Sequence, residues 1–185
     1  MNEVLQTILN RRSVRAFKPG QIKREDVEAI VEAGLYAPSA NNTQDWHFTV
    51  LQSQELIDKV NLWLLEEVNS SGDPHLQEIA KRNGGHFFRN APTVIIVSTE
   101  RNRRFASVNA AAATENMLIA SESLGIGSCW IGSVEMLAIS KNLDSYVGEL
   151  RLPEGYAPQF GITLGYAASD SPAAPPRKMD AVFYL

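Results

Sequence analysis

The chain has 185 residues, of which 44% are hydrophobic and 21% are charged, and its net charge is −4. These values are ordinary for one globular domain that can bury a core, so we expect a single domain over residues 1–185. The negative net charge disfavours nucleic acid and anionic membrane surfaces as partners. A local basic site would therefore suit a small anion better than a polyanion.

The cysteine content and the N-terminal residues bear on the compartment. The single cysteine, Cys129, excludes an internal disulfide framework and fits a reducing environment. The first residues lack the basic and apolar pattern of a signal peptide, and no apolar run is long enough to span a bilayer. We therefore expect a cytoplasmic protein that does not bind membranes.

The first predicted element is a short helix with apolar residues at helical spacing, namely Val4, Leu5, Ile8 and Leu9. It leads into Arg11–Arg15, with the sequence RRSVR, called the arginine segment below. Guanidinium groups are planar, permanently charged and donate in forked pairs, so this cluster suits a phosphate or another oxyanion. In extended chain, Ser13 and Arg15 would point to one side and could share a target. The alternative is that the arginines only stabilise the C-terminal end of the first helix.

A second helix, predicted over roughly Arg24–Tyr36, leads to nine small or amide-bearing residues, Ala37–Asp45, called the amide loop below. The loop runs into Trp46–Leu51, whose aromatic and β-branched residues predict a strand. Small residues permit a ligand to approach the backbone closely. The alternative is an ordinary polar connection. The side chains that could pair with the edge of a heterocycle are Ser39, Asn42 and Gln44.

The middle of the chain is predicted to be mainly helical. One helix is expected from Ser53 to Val68, and after a turn at Asn69–Pro74 a weaker helix reaches about Asn83. This hairpin is either a mobile cover over a site or part of the scaffold. The apolar run Ala91–Ser98 then predicts a buried strand.

The longest helix is expected from Arg104 to Leu124, with Gly125 as its C-terminal cap and with an alanine run that permits close packing. A short strand is predicted at Gly127–Gly132, a helical turn or two at Glu135–Lys141, and a last core strand at Phe160–Tyr166. The final residues, about 168–185, form an extended arm, because the prolines in 171–178 prevent a helix. Its strand-like end, residues 181–185, could clasp a second subunit.

The sequence contains no HExxH motif, no GxSxG motif and no P-loop. The three histidines show no metal-ligand spacing, and the glycine pattern that starts at Gly125 departs from the dinucleotide fingerprint at Trp130. Cys129 could be a nucleophile, but its neighbours favour a small core residue. Anion-binding and amide-rich loops without a catalytic side chain indicate that a bound cofactor supplies the chemistry.

Four separated groups of residues, in this order, resemble the FMN-dependent nitroreductase family. They are Arg11–Arg15; Ala37–Ser39 with Asn42, Gln44 and Trp46; Gly125–Gly132; and Arg177 in the proline-rich tail. The resemblance covers the chain from end to end. It implies an α+β fold, a three-layer α/β/α sandwich around a central mixed, mostly antiparallel sheet. It also implies an intertwined homodimer with FMN at the subunit interface.

The resemblance also implies which residues contact FMN. Those expected at the phosphate, the ribityl chain and the pyrimidine edge are Arg11, Arg12, Ser13 and Arg15, with Arg177 returning to the phosphate. Those expected to contact the flavin from the partner subunit are Pro38, Ser39, Ala40, Asn42 and Gln44. Those expected along the isoalloxazine near its reactive nitrogen are Trp130, Ile131 and Gly132. No metal ligand and no catalytic side chain is expected, since the flavin carries the chemistry.

The activity implied by this resemblance is reduction of electron-poor acceptors, such as nitroaromatics and quinones, with NADH or NADPH as the donor and ping-pong hydride transfer through FMN. Other activities of the same fold, such as dehalogenase, enone reductase or flavin reductase, remain alternatives, as does a flavin-binding sensor without turnover. An anion-binding scaffold without a cofactor is the least specific interpretation.

Three departures from the family pattern leave the acceptor open. Asp45 stands where the family usually has proline before the tryptophan, and Asn109 stands where an acidic residue often begins the long helix. The third is the short stretch between Gln52 and Phe87, which leaves little insertion to shape a substrate pocket.

Overall fold

The computed structural model describes residues 1–170 and 173–185. The helices are α1 (Glu3–Asn10), α2 (Arg24–Leu35), α3 (Gln54–Ser71), α4 (Pro74–Arg82), α5 (Ala106–Ser123) and α6 (Leu143–Glu149). The strands are β1 (Trp46–Leu51), β2 (Thr93–Glu100), β3 (Gly127–Ile131) and β4 (Tyr156–Gly165). Short 3₁₀ helices lie at Ala40–Asn42, Gly132–Leu137 and Met179–Ala181.

The strands form one sheet, which in the described part of the chain has the order β1-β2-β4-β3 with every neighbouring pair antiparallel. Val50 lies opposite Ile95, and Ile95 lies opposite Ile162 on the next strand. A bulge between Val97 and Ser98 shifts the register of β2 against β4. The predicted α+β sandwich with a mostly antiparallel sheet is confirmed, and the order places β1 and β3 at the two edges.

Helices cover both faces of this sheet, which explains the nearly continuous apolar run of β2. Val94 and Ile96 point to one face, where they join the core cluster that contains the buried side of α3. Ile95 and Val97 point to the other face and join the buried residues of α2 and α5. Because side chains alternate along a strand, a strand covered on both faces must be apolar throughout.

The close packing predicted for the alanine-rich helix is confirmed in the contact between α5 and α2. Ala110 and Ala113 are fully buried. Gly34 of α2 faces Met117 so closely that a β-carbon on Gly34 would lie 2.9 Å from the methionine Cγ. Small residues on both helices therefore let their backbones approach one another beneath the sheet.

Both ends of the chain carry apolar side chains that this one chain does not bury. No residue of α1 is buried, although its apolar stripe includes Leu5 and Leu9. At the other end, Val182 and Phe183 are exposed. Residues 173–178 of the predicted arm form neither helix nor strand, and positions 171–172 of that prediction lie outside the described residues. The strand predicted at the end of the arm is not formed within this chain, where a 3₁₀ turn at Met179–Ala181 precedes residues without regular structure.

Several elements differ from the sequence-based predictions. The helical turn predicted at Glu135–Lys141 is instead the 3₁₀ helix Gly132–Leu137, and α6 was not predicted. The helix α3 continues to Ser71 rather than ending near Val68, because Ser71 Oγ donates to the Val68 carbonyl and Gly72 then ends the helix at a left-handed φ of 67°. The strand β4 begins at Tyr156, earlier than predicted, because Tyr156–Pro158 pair with the outer part of β2 beyond its bulge.

Candidate functional site

The arginine segment runs beside the edge strand β3. Ser13 forms a parallel bridge with Ser128, and the Val14 amide donates to the Ser128 carbonyl at 2.8 Å. Two residues beyond the segment, Phe17 forms an antiparallel bridge with Ala167, so the chain is also fixed just after the segment. The predicted extended conformation around Val14 is therefore observed, and the backbone holds the cations against the sheet.

Gly127 explains why this approach is possible. A β-carbon at Gly127 would lie 2.9 Å from both methyl groups of Val14. Only a glycine at this position of β3 leaves room for the valine, and so for the bridge between Ser13 and Ser128.

The guanidinium of Arg12 only partly fulfils the alternative of a helix cap. Its Nη1 atom donates to the carbonyls of Leu9 and Arg11, each at 2.7 Å, and so satisfies the end of α1. Its Nε atom is buried and has no hydrogen-bond partner. A buried donor without a partner is costly, so this N–H group is a candidate donor to an acceptor atom of a ligand.

The other cations of the site keep donors available for an oxyanion. Arg15 is exposed and makes a long contact of 3.4 Å to the Ser13 carbonyl, while Arg177 contacts only its own neighbour, the Pro175 carbonyl, at 3.2 Å. Among the residues that the structure describes, no carboxylate forms an ion pair with Arg11, Arg12 or Arg15. The arginine segment therefore carries positive charge that this chain does not neutralise locally.

Trp130, Ile131 and Gly132 follow along the same strand. Ile131 lies three residues beyond Ser128, which is about 10 Å along a strand. The half-buried Trp130 ring packs edge-on against Phe160 at 4.8 Å between centroids, and Ile131 is buried. Gly132 is exposed and begins a 3₁₀ turn, with no atom within 4 Å of where a β-carbon would stand. The structure thus places this group and the arginine segment along one edge of the sheet.

The amide loop adopts an unusual backbone conformation. Asn41, Asn42 and Gln44 have φ values of 54°, 54° and 47°, in the left-handed region that non-glycine residues avoid. Inside the loop, Ser39 Oγ accepts from the backbone amide of Gln44 at 3.0 Å. The side chain of Gln44 donates through Nε2 to Asn42 Oδ1, also at 3.0 Å. Three of the residues predicted to contact a ligand, Ser39, Asn42 and Gln44, are therefore bonded to one another within the loop.

Asn109, in the first turn of α5, ties this loop to the rest of the domain. Its Oδ1 atom accepts from the Ala40 amide at 3.0 Å, and its Nδ2 atom donates to Thr43 Oγ1 at 3.2 Å and to Asp45 Oδ1 at 2.8 Å. Sequence reasoning noted Asn109 and Asp45 only as departures from a family pattern and missed that they bond to each other. A buried amide in an alanine-rich helix was the available signal, since such a group requires partners.

The amide loop and the arginine segment lie apart in this one chain. Among the described residues, no hydrogen bond or ion pair joins the two. Pro38, Asn42 and Gln44 are exposed, and Ser39 and Ala40 are partly so. The amide loop leads into β1 and the arginine segment lies beside β3, so the two groups are at opposite edges of the sheet in this chain.

Two cavities flank the free edge of β1. One, of about 920 Å³, lies between β1 and α6, and the other, of about 600 Å³, lies between α2 and the end of β1. His47 lines the first cavity, and burial lowers the pKa of its imidazole. Burial raises the pKa of the neighbouring Tyr156 phenol, and the nearby negative charges of Glu100 and Asp45 raise it further.

Within residues 1–170 and 173–185, no group of three or more His, Cys, Asp or Glu side chains is placed to hold a metal ion. None of the helices described here is both long and apolar enough to cross a membrane.

Comparison with known proteins identifies close relatives over nearly the whole chain. The model of the nitroreductase family matches residues 8–166. A protein of Archaeoglobus fulgidus named putative NADH dehydrogenase/NAD(P)H nitroreductase is 32% identical over 171 residues, which cover 90% of this chain and 86% of that protein. A protein of Bacillus subtilis named FMN reductase (NADPH) is 25% identical, over all of this chain and 74% of its own length.

A solved structure shows the same fold. The crystal structure of a nitroreductase with bound FMN from Bacteroides fragilis superimposes with a TM-score of 0.91 and 35% identity, and the match covers both chains completely.

Proposed function

We propose, on the premise that this chain belongs to the nitroreductase family, that it is an FMN-dependent oxidoreductase which uses NAD(P)H to reduce electron-poor acceptors such as nitroaromatics and quinones. The cofactor and donor follow from the relatives, whose names include FMN and NAD(P)H. We further propose the class of acceptor and the two-step mechanism.

The observation that carries the proposal is the arginine segment seated on β3. Its cations have no carboxylate partner among the described residues, and Arg12 Nε is buried without an acceptor. A phosphate monoester offers negative charge and several acceptor oxygens, so it matches this donor set. The residues present therefore fit the phosphate of FMN.

The groups described above divide the binding of FMN between them. Those proposed to hold the phosphate, ribityl chain and pyrimidine edge are Arg11, Arg12, Ser13, Arg15 and Arg177. Trp130, Ile131 and Gly132 would lie along the ring, where the open space at Gly132 supports a close approach. The groups proposed to reach the ring from a second copy of the chain are Pro38, Ser39, Ala40, Asn42 and Gln44.

The protein's own part in the reaction is positioning and electrostatics. The chemistry that FMN supplies when bound is transfer of a hydride from NAD(P)H to an acceptor in two half-reactions. The arginines would supply positive charge that stabilises negative charge at the pyrimidine edge. Cys129 is 4% exposed, and its thiol contacts the Trp130 carbonyl at 3.6 Å, so it fills the core rather than attacking a substrate.

The unburied apolar residues at both ends support a homodimer. The stripe of α1 lies beside the arginine segment, and an exposed apolar stripe on a helix needs a partner surface. The edge strand β1 has one side that pairs with no strand in the described residues, and cavities flank it on both sides. The apolar end of the C-terminal arm, residues 182–185, from a second copy has the length and exposure to add there as a strand.

The first experiment is the visible spectrum of the purified protein before and after anaerobic addition of NADH and then NADPH. Flavin absorption that bleaches with either donor, and returns on addition of a nitroaromatic or quinone, supports the proposal. Flavin that neither donor bleaches would favour a sensor without turnover. A colourless protein that cannot be reconstituted with FMN would overturn the proposal.

A pair of variants tests the phosphate site. Arg12→Ala should weaken FMN binding by about 10- to 100-fold, since a hydrogen bond to a charged group contributes about 1.5–3 kcal/mol. The control is Arg82→Ala on α4, which removes the same charge from an exposed pair with Glu78. Equal FMN affinity in the two variants would contradict the assignment of Arg12.

The arm is tested by deleting residues 179–185. The shortened protein should sediment as a weaker dimer and bind FMN less tightly, because the proposed site contains loops from two copies. A monomeric full-length protein that binds FMN normally would contradict the shared site.

A second candidate function is reduction of free flavin. The Bacillus subtilis relative is named FMN reductase (NADPH), and it covers all of this chain. Turnover assays that compare free FMN with nitroaromatics and quinones at equal concentration distinguish the two activities.

A further inference from the structure

The side-chain amide of Asn109 makes its hydrogen bonds to the amide loop. The residue is 3% exposed, and its side chain contacts the backbone of Ala40, the hydroxyl of Thr43 and the carboxylate of Asp45. These three contacts span the amide loop from its middle to its end. Asp45 is itself 4% exposed, so the 2.8 Å bond between the two side chains is shielded from water.

Apart from the hydrogen bonds within the loop itself, Asn109 provides the hydrogen bonds that tie the middle of the loop to the rest of the domain. The ends of the loop are packed, because Ala37 and Trp46 join a small apolar cluster with Ala113 of α5. Between those ends, a cavity of about 330 Å³ lies under Ala40 and Thr43 beside the start of α5. Polar bonds rather than apolar contacts therefore fix the loop where its backbone is left-handed.

We propose that Asn109 and Asp45 form a positioning pair, in which one amide donor and one carboxylate acceptor hold the amide loop in the conformation that presents Ser39, Asn42 and Gln44 to FMN. This inference rests on the proposed function. Neither residue of the pair touches the cofactor in it, and both act through the loop backbone.

The hydrogen bond between positions 45 and 109 needs one donor and one acceptor, and either position can supply the donor. With Asn109→Asp alone, two carboxylates face each other in a buried place and repel unless they share a proton. With Asp45→Asn alone, the new side chain keeps an oxygen that can accept from Asn109. With both changes, the donor and the acceptor exchange places, and the bond can form again.

Other titratable and charged groups lie near this pair and contribute to its electrostatic environment. Arg103 and Arg104 line the same cavity, and Glu100 and Tyr156 lie on the strands beside Asp45. Arg103 pairs with Glu100 at 2.6 Å. These groups are identical in all the variants, so differences between the variants report on positions 45 and 109.

The test is FMN affinity of the full-length protein at pH 8 and pH 6, with hydrogen exchange of the loop amides in the FMN-free protein as a second readout. Asn109→Asp should bind FMN about 10- to 100-fold more weakly at pH 8, with a smaller loss at pH 6, and the Ala40 amide should exchange faster. Asp45→Asn should stay within a few-fold of the original protein. The double variant should recover most of the affinity and the protection.

Asn116→Asp is the matched control, because it makes the same change two turns along α5, where the side-chain amide donates to the Ala33 carbonyl and has no other hydrogen bond within the described residues. It should leave FMN affinity unchanged. A double variant that folds but binds as weakly as Asn109→Asp would overturn the proposal. So would an Asn109→Asp variant with normal affinity and normal exchange. If the original protein binds no FMN, the proposed function fails, whereas the exchange data still test whether the pair holds the loop.

Discussion

Replacing Gly127 with alanine would test how the sheet positions the arginine segment. The new β-carbon would meet both methyl groups of Val14 at 2.9 Å, whereas ordinary contacts begin at 3.4 Å, so the valine must retreat by about 0.5 Å. The bond from the Val14 amide to the Ser128 carbonyl, now 2.8 Å, would lengthen with it.

The cost follows from these two effects. Overpacking a well-packed position costs about 1–3 kcal/mol, and weakening one backbone hydrogen bond costs up to about 1 kcal/mol more. We expect Gly127→Ala to lower the free energy of unfolding by about 2 kcal/mol and FMN affinity by about tenfold, since each factor of ten corresponds to about 1.4 kcal/mol. Urea unfolding and fluorescence titration with FMN measure the two quantities.

Two further variants decide the cause. Val14→Ala combined with Gly127→Ala removes the two methyl contacts at 2.9 Å but keeps the β-carbon of residue 14 at 3.0 Å, so it should recover part of the FMN affinity. Gly148→Ala, inside α6 with no atom within 4 Å of the new β-carbon, should be neutral or stabilising by about 0.5–1 kcal/mol. If Gly127→Ala behaves like Gly148→Ala, or if the double variant recovers nothing, then Val14 does not transmit the position of β3 to the arginines.

Three other predictions concern the core and its titration. Cys129→Ala should keep the rate of flavin reduction by NAD(P)H within a few-fold, as measured by anaerobic stopped-flow absorbance, and complete loss would give the thiol a chemical role. Leu64→Ala, at a fully buried position of α3, should lower the free energy of unfolding, measured in urea, by about 2–5 kcal/mol. The control, Leu62→Ala at an exposed position, should change it by less than about 0.5 kcal/mol. Equal losses in the two variants would contradict the described core. Burial lowers the folded-state pKa of His47 below 6.5, so the unfolded chain binds more protons there and stability falls as the pH drops below 6.5. His47→Gln should flatten this part of the stability profile between pH 7 and pH 5, and an unchanged slope would show that His47 is not the group responsible.

Much of the local structure could be predicted because it depends on local patterns. The apolar run of β2 predicted a buried strand, and the structure covers this strand on both faces. Gly125 predicted the end of the long helix, and it adopts a left-handed φ of 70° there. The end of α3 was predicted too early, since a serine hydroxyl and a glycine extend it by contacts that composition does not reveal.

The candidate site could be predicted only as a set of residues. Charge and donor geometry marked the arginine segment as anion-binding from the sequence alone. The sequence did not show that Arg12 both caps α1 and leaves a buried donor free, because that depends on where the segment docks. The assignment of individual residues to FMN stays a prediction.

The sequence by itself determined the five longer helices, most of the strands, the cationic segment and the amide-rich loop, because these follow from side-chain chemistry and spacing along the chain. The short helix α6 was not predicted. Only the tertiary structure decided the strand order, the seating of Val14 against Gly127, and the bond between Asn109 and Asp45. Those two side chains are separated by 64 positions along the chain. Such contacts arise only when α5 packs beside the loop, and pairing between distant segments depends on the packing of the whole domain.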